Sequence, residues 1–529
     1  MNQLLGTGAL VKLGLRRDRI MIAVWAYAAT AFAASTSYSY GRLYDTVQSR
    51  REFAAGVEHN GATRAMYGRV FNADTVGGLT AWRVTAIGAA LVGLLCILLV
   101  VRHTRGDEEA GRLELVGAGV VGRYAALTAG LLIALLADAL LAVLVCAGLI
   151  AIGMPTVGSI AFGLAWLAAG AVFAAVAATA AQLAQSARLA NGIAFAVLGL
   201  AFVIRAAGDA GQSWLSWLSP IAWSQQLRPF ADDRWWVLAL PVLLVVIVAA
   251  IAYALAGHRD LGAGLLPSRP GPAVGAPGLR SPLALAWRLQ RGPMAGWAAG
   301  FLVYGAVLGG VADGVTDLVK DSKGTRDILV EMGGQKGLVD AFIATVMGML
   351  GLIVSVYAVQ AVLRLRVEET GQRAEPVLAT RVGRIRWAMS HVTFAVVGSV
   401  VLLVLAGFSA GLVHGLRVHD VGHQLPRVLG AALVQLPAAF VLAGVALLLF
   451  GLAPRLAMAS WGVLGAFLLL GQLGPVLKLA QWAMDISPFT HVPKAPGAAV
   501  LATPLVALCV VAALLAAAGL AGFRERDIG

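Results

Sequence analysis

Two acidic segments far apart in the chain carry the residue types from which an ionic docking surface is made. The first reads Glu108-Glu109-Ala110-Gly111-Arg112-Leu113-Glu114 and the second Glu368-Glu369-Thr370-Gly371-Gln372-Arg373-Ala374-Glu375. Each leads into a Val-Gly-Arg, Val121-Gly122-Arg123 and Val382-Gly383-Arg384. Aligned on their Glu-Glu pairs, the copies differ by one inserted residue, Gln372, and the second also carries Pro376. Glu108 with Arg112 and Glu369 with Arg373 stand at i, i+4 with the acid N-terminal, the better orientation for a helix pair, and acids in a first turn suit the helix dipole. The pattern predicts a short charged surface helix that docks another protein. A solvated loop whose arginines set topology is the plainer alternative, but topology has no use for Glu-Glu in the same place twice.

Few other residues have chemically useful types and spacings. Asp138 is the one acid deep inside an apolar run, a candidate for proton coupling, for recognising a cationic substrate, or for an interhelical hydrogen bond. The second half offers no counterpart in the aligned stretch Val400 to Leu405. Arg205 reads as a side chain snorkelling to the surface. His414, His419 and His423 cluster near Asp420 in what reads as one polar loop, and solvation is the simpler explanation of their spacing, so no metal is expected. Cys96, Cys146 and Cys509 lie in apolar runs, without the spacing of a metal site or a loop disulfide. Segment 41–83 holds Asp45, Glu52, Glu58, His59 and Asp74, the only candidate cluster for a membrane-embedded transferase, and no spacing there is diagnostic. An ATP-binding loop needs Gly-Lys-Ser/Thr to cradle phosphates, and the sequence has none; Lys323-Gly324-Thr325 and Gly333-Gly334-Gln335-Lys336-Gly337 have the wrong order. The chain is expected to bind no cofactor, so any ATP and Mg would be handled by a partner.

The elements that must position the acidic segments are apolar helices. With 59% hydrophobic and 13% charged residues and a mean hydropathy of +0.82, the chain is a bilayer protein. Spans are expected at about 20–40, 84–101, 124–150, 157–184, 189–207 and 235–256, and at about 294–312, 341–363, 387–413, 429–451, 457–475 and 498–522. The fold class is therefore all-α and polytopic, with about twelve transmembrane helices in two parallel six-helix repeats. The repetition extends beyond the acidic segments. Arg16 to Trp25 answers to Arg288 to Trp297, Ser219-Pro220 to Ser487-Pro488, and Arg259-Asp260-Leu261-Gly262 to Arg526-Asp527-Ile528-Gly529, at offsets of 272, 268 and 267, against 261 for Arg123 and Arg384. Residues 1–256 form the first half, 257–282 a connector with Pro267, Pro270, Pro272, Pro277 and Pro282, and 283–529 the second half.

The net charge of +13 does not indicate nucleic acid, because the basic residues are dispersed in short segments between spans. With the N-terminus inside, 23 of the 40 Lys and Arg face the cytoplasm, and six of the remaining 17 lie in the long segment 41–83, which the positive-inside rule weights least. Both termini, the connector and both acidic segments are then cytoplasmic. No cleavable leader is expected at the N-terminus. Residues 4–19 predict an amphipathic surface helix, with Leu4, Val11 and Leu15 on one side and Lys12, Arg16 and Arg19 on another; Leu283 to Arg291 predict a second.

These features resemble the membrane subunits of type-2 ABC exporters, in particular the fused twelve-span permeases similar to polyketide-antibiotic and multidrug exporters. The resemblance rests on the amphipathic N-terminal helix, the repeated Glu-Glu-x-Gly-(x)-Arg-x-Glu segments, Leu218-Ser219-Pro220 and Ile486-Ser487-Pro488, and the closing Arg-Asp-Leu/Ile-Gly. It implies that Glu108, Glu109, Gly111, Arg112 and Glu114, and Glu368, Glu369, Gly371, Arg373 and Glu375, form coupling helices that dock two copies of a separate cytosolic ATPase. It also implies that Ser219, Pro220, Ser487 and Pro488 belong to short re-entrant helices closing the outer end of the path. A proline turn at the interface beside Trp214, Trp217 and Trp223 explains the first pair equally well. The function implied is ATP-driven efflux of hydrophobic or amphipathic compounds across the cell membrane, with antibiotic resistance as its consequence. The competing expectation is a proton- or ion-coupled secondary transporter, for which Asp138 would be the sole buried acid.

Overall fold

The computed structural model describes residues 3–58, 61–113, 121–211, 213–260, 262–266, 273–276, 278–312, 334–473 and 480–527. Glu114, His59, Lys323-Gly324-Thr325, Gly333, Leu261, Ile528, Gly529 and the connector prolines Pro267, Pro270, Pro272 and Pro277 lie outside them. Among the described residues the regular structure is helical, and eleven helices are long and apolar enough to cross a membrane. The protein is an all-α polytopic membrane protein. Two compact units divide it, Met1–Gly271 and Pro272–Gly529.

In the first unit, α1 (Thr7–Leu43), α2 (Val47–Glu58), α3 (Gly61–Tyr67) and α4 (Val76–Val101) lead through a π-helical turn, Arg102–Gly106, into α5 (Asp107–Glu109). There follow α6 (Ala125–Ala151), α7 (Thr156–Leu183), α8 (Ala187–Ala210), α9 (Pro220–Gln226) and α10 (Ala239–Gly257). The expected surface helix and first span are one unbroken helix, α1, because no proline interrupts 7–43; Lys12, Arg16 and Arg19 are exposed while Gly14, Asp18, Ile22 and Ala26 are buried. α4 begins eight residues before the expected span because Thr75 caps it, its hydroxyl accepting from Gly78 N at 3.0 Å. It is the central helix, with 72% of its span buried, and small residues let its neighbours approach. Trp166 of α7 lies over Gly88, where a Cβ would stand 1.9 Å from its ring, and donates its indole N–H to Thr85 O at 3.1 Å.

Segment 41–83 is helical in α2 and α3 and packs an aromatic group, Tyr44, Phe53, Tyr67 and Trp82, with Arg83 3.9 Å over the Tyr67 ring. Asp74 is held by Arg51 at 2.6 Å on an exposed surface. Among the described residues no group of three or more His, Cys, Asp or Glu stands ready for a metal.

The second unit comprises α11 (Pro282–Val311), α12 (Gly334–Thr370), α13 (Ala374–Leu378), α14 (Arg384–Arg417), α15 (Val421–Leu433), α16 (Leu436–Leu452), α17 (Ser460–Leu473), α18 (Gln481–Met484) and α19 (Ala502–Glu525). Leu283 to Arg291, expected as a separate surface helix, is continuous with the span in α11, which carries Pro293 internally. The span expected at 429–451 is broken between Leu433 and Leu436, just before Pro437, whose missing N–H makes it a helix starter. The histidines are not in one loop: His414 is buried in α14, His419 has φ 55 in the turn, and His423 lies in the first turn of α15, its N–H donating to Asp420.

Candidate functional site

The first acidic segment is the continuation of α4. Its π-helical turn adds a residue to the ring of backbone hydrogen bonds and so rotates the residues beyond it about the helix axis. The rotation brings Arg105 inward, 1% exposed, where its Nε donates to Ala181 O and its Nη2 to Ala263 O, both at 2.6 Å. Its Nη1 lies 3.1 Å from Glu108 Oε2, and the same oxygen lies 3.1 Å from Arg259 Nη2. Glu108 Oε1 accepts from Gly262 N at 2.6 Å. Glu108 is therefore buried between two guanidinium groups, and one of them belongs to the tail after α10. Arg123, just before α6, donates from Nη2 to Gly257 O at 2.7 Å and Arg259 O at 3.3 Å, satisfying a carbonyl at the C-terminus of α10.

The second unit builds the same arrangement. Glu369 pairs with Arg366 at 3.1 Å and with Arg526, from the tail of α19, at 2.7 Å. Arg384, opening α14, donates from Nη1 to Arg524 O at 3.0 Å and Arg526 O at 2.7 Å. Arg526 also lies over the rings of Phe450 and Phe523, at 4.9 and 5.2 Å.

These contacts correct the register. Arg105 matches Arg366, Asp107 matches Glu368, Glu108 matches Glu369, Arg112 matches Arg373 and Arg123 matches Arg384, every pair 261 residues apart. Gln372 is no insertion: it stands where Gly111 stands, and both have left-handed backbones, φ 55 and φ 68. Each N–H closes the same turn, Gly111 N onto Glu108 O at 3.0 Å and Gln372 N onto Glu369 O at 2.9 Å. The expected i, i+4 pairs are corrected too. The helix stops at this turn, so Arg112 and Arg373 swing back to the acid five residues earlier, Asp107 at 2.8 Å and Glu368 at 2.9 Å. Glu108 and Glu369 face inward, while Glu109, Arg112, Gly371, Arg373 and Glu375 are exposed or partly exposed at the surface.

A family model described as "Multidrug efflux system permease Rv1217c, C-terminal domain" matches residues 9–259 and 279–524. The multidrug efflux system permease protein Rv1217c of Mycobacterium tuberculosis (strain ATCC 25618 / H37Rv) is 43% identical over 528 residues, 99% of this chain and 95% of that protein. The chain belongs to the Rv1217c-type family of multidrug efflux system permeases. Both matched stretches end within or next to the tails that the acidic segments hold.

Elsewhere in the permease the expected residues fall in different settings. Ser219 is buried and caps α9, its hydroxyl donating to Ala201 O at 2.7 Å and accepting from Ala222 N at 3.4 Å. α9 is tied down by Ser224, donating to Ala165 O at 3.0 Å, and Gln225, donating to Tyr67 O at 2.6 Å. Ser487 and Pro488, also buried, start a single 3₁₀ turn, Pro488–His491. Asp138 is fully buried in α6 beside Cys96 of α4, with its Oδ2 packed over Gly170 of α7. At an offset of 261 its counterpart is Ser399, whose hydroxyl donates to Ala395 O at 2.6 Å, so a polar position is kept in both halves one residue before the expected apolar stretch.

Asp138 is not the only buried acid. Asp18 of α1 lies 2.6 Å from His103 Nε2 and 3.2 Å from Arg102, and Asp209 of α8 lies 3.2 Å from Arg205. Arg205 does not snorkel: it is fully buried and also donates to Ala65 O at 2.7 Å. Arg105, Asp107, Asp18 and His103 are not singled out by residue type or helical spacing. The signal for the first two is the constant offset of 261, visible once the copies are aligned without a gap.

Proposed function

We propose that this permease is the membrane subunit of an ATP-binding cassette exporter that moves hydrophobic or amphipathic, drug-like compounds out of the cell. The relationship to a multidrug efflux permease over 99% of the chain carries the export reading. The sequence has no ATP-binding loop, and on this reading ATP and Mg are handled by two copies of a separate cytosolic ATPase. Docking at the acidic segments is supported by their duplication and their exposed face: Glu109 and Arg112 in the first unit, Arg373 and Glu375 in the second. Glu108 and Glu369 are committed inward, so the docking role passes to their exposed neighbours. The segments lie at the same end of each unit as the tail after its last span, the end the positive-inside rule puts in the cytoplasm. Closure of the ATPase pair would then drive the spans only if the pair binds two conformations with different affinity.

Tagged permease bearing Glu109→Ala with Arg112→Ala and Glu375→Ala tests the docking. The expected result is loss of ATPase co-purification with normal accumulation in the membrane; retained co-purification and dye efflux would remove the assignment. The buried carboxylate of Asp138 favours the second reading, proton-coupled transport. Efflux in ATP-free vesicles that collapses with the proton gradient, and is lost in Asp138→Asn, would select it.

A further inference from the structure

Each unit joins its acidic segment to the tail of its last span by the same set of contacts, and the two helices so joined differ in how much of each is buried. Along their most apolar stretches the second spans of the two units are 72% and 56% buried, and the last spans, ending in α10 and in α19, 17% each. In the first unit α10 packs chiefly along α7, with one further polar tie from Tyr253 to Thr128 of α6 at 2.7 Å. In the second, α19 packs chiefly along α16. The joint between the acidic segment and the last span is buried: the side chains of Glu108 and Arg259 are 7% and 12% exposed, and those of Glu369 and Arg526 5% and 16%. A buried charge stripped of its partner is costly, so such a pair parts less readily than a surface one.

We propose that Glu108 with Arg259 and Glu369 with Arg526, backed by Arg123 and Arg384 on the tail carbonyls, are the joints that deliver movement of each acidic segment to the last span of its own repeat. These are positioning residues. A displacement of the segment carries the tail with it, because a tail left behind would strip Arg259, or Arg526 in the second unit, of the acid that faces it in a buried setting. The repetition points to the same conclusion. The segment residues match at an offset of 261 and the tail residues at 267, so the joint has been kept although the residues between its two sides differ in number by six. Such a joint moves the last span whatever drives the segment, so its role goes beyond the ATPase reading.

The full-length permease in lipid nanodiscs, with Cys146 and Cys509 replaced by Ser, would carry nitroxides at Ala110→Cys and Ala254→Cys, or at Thr370→Cys and Ala521→Cys, all on exposed positions. Pulsed electron resonance then reads the distance between segment and last span, and ethidium efflux from cells reads transport. Glu108→Gln keeps the size and the bond to Gly262 but removes the charge. It is expected to broaden the first distance distribution and lower efflux about fivefold, the scale of a coupling change near 1 kcal/mol. Glu369→Gln should do the same to the second distribution, and Arg259→Lys and Arg526→Lys, which keep the charge facing the acid, should leave distances narrow and efflux near that of the unmutated permease. Unchanged distributions in the Gln variants, or Lys variants as broad as the Gln ones, would overturn the proposal. Should Glu108→Gln fail to accumulate, Arg123→Gln loosens the joint from its exposed side, with a broadened distribution expected and an unchanged one decisive against it. ATPase co-purification is scored in parallel: its absence from the unmutated permease would sink the ABC reading and leave the distance result standing.

Discussion

At Glu108 a carboxylate lies 3.1 Å from each of two guanidinium groups, and removing it leaves Arg105 and Arg259 facing one another without the acid between them. Glu108→Ala is therefore expected to destabilise the first unit by about 3–5 kcal/mol, whereas Glu109→Ala, one residue on and exposed, should stay within about 0.5 kcal/mol. Thermal unfolding of the two purified variants side by side checks the contrast, and equal losses would contradict the burial of Glu108. The neighbouring turn gives a second test. Gly111 has φ 68 and open space where a Cβ would go, so Gly111→Ala should cost about 1 kcal/mol through backbone conformation alone. Gln372 already occupies that left-handed conformation, and Gln372→Gly should be neutral or stabilising by up to about the same amount. The acids stand out in the sequence, but helical spacing pairs them wrongly. A chain reversal at Gly111 and Gln372 leaves no trace in side-chain periodicity, so the true partners stay hidden there.

Elements are shaped here by caps and close approaches that override hydropathy windows. α4 starts at Thr75's cap well before its apolar run, and α1 carries a basic surface stretch and a span without interruption. Ser219 contributes two hydrogen bonds at the start of α9, so Ser219→Ala should cost about 1–2 kcal/mol in the first unit. Ser487 starts only a 3₁₀ turn and its hydroxyl has no hydrogen bond among the described residues, so Ser487→Ala should cost less than half as much. Denaturation midpoints of the two variants decide this, and equal effects would show that the two turns are equivalent supports. Close approach is the other determinant. Gly88→Val would drive a branched side chain into Trp166 and should lose about 1–3 kcal/mol, read as reduced accumulation of folded permease in the membrane. Such contacts are not legible in the sequence because they depend on how each helix is rotated about its axis.

Over the whole molecule, the duplication is visible in sequence and returns as two compact units with matching ion pairs. The copies are not identical in their surroundings. Asp107 of the first segment is also paired with Arg17 of α1 at 2.8 Å, while the residue matching Arg17 at the 272 offset is Leu289, which cannot make that pair with Glu368. The difference between the two acidic segments thus lies in what holds each from the N-terminal side, rather than in Gln372. Arg17→Ala should accordingly weaken efflux where Leu289→Ala does not, and equal effects in the ethidium assay would remove the asymmetry.

By itself the sequence determined the class of the protein, its repetition and the identity of its unusual charged segments, because apolar length, repeated spacing and a missing nucleotide loop are properties of the order of residues. The tertiary structure decided which way each charge faces. Glu108 and Glu109 are chemically the same and adjacent, and only the approach of a tail some 150 positions away, bringing Arg259 to the first, makes one a buried ion pair and leaves the other exposed.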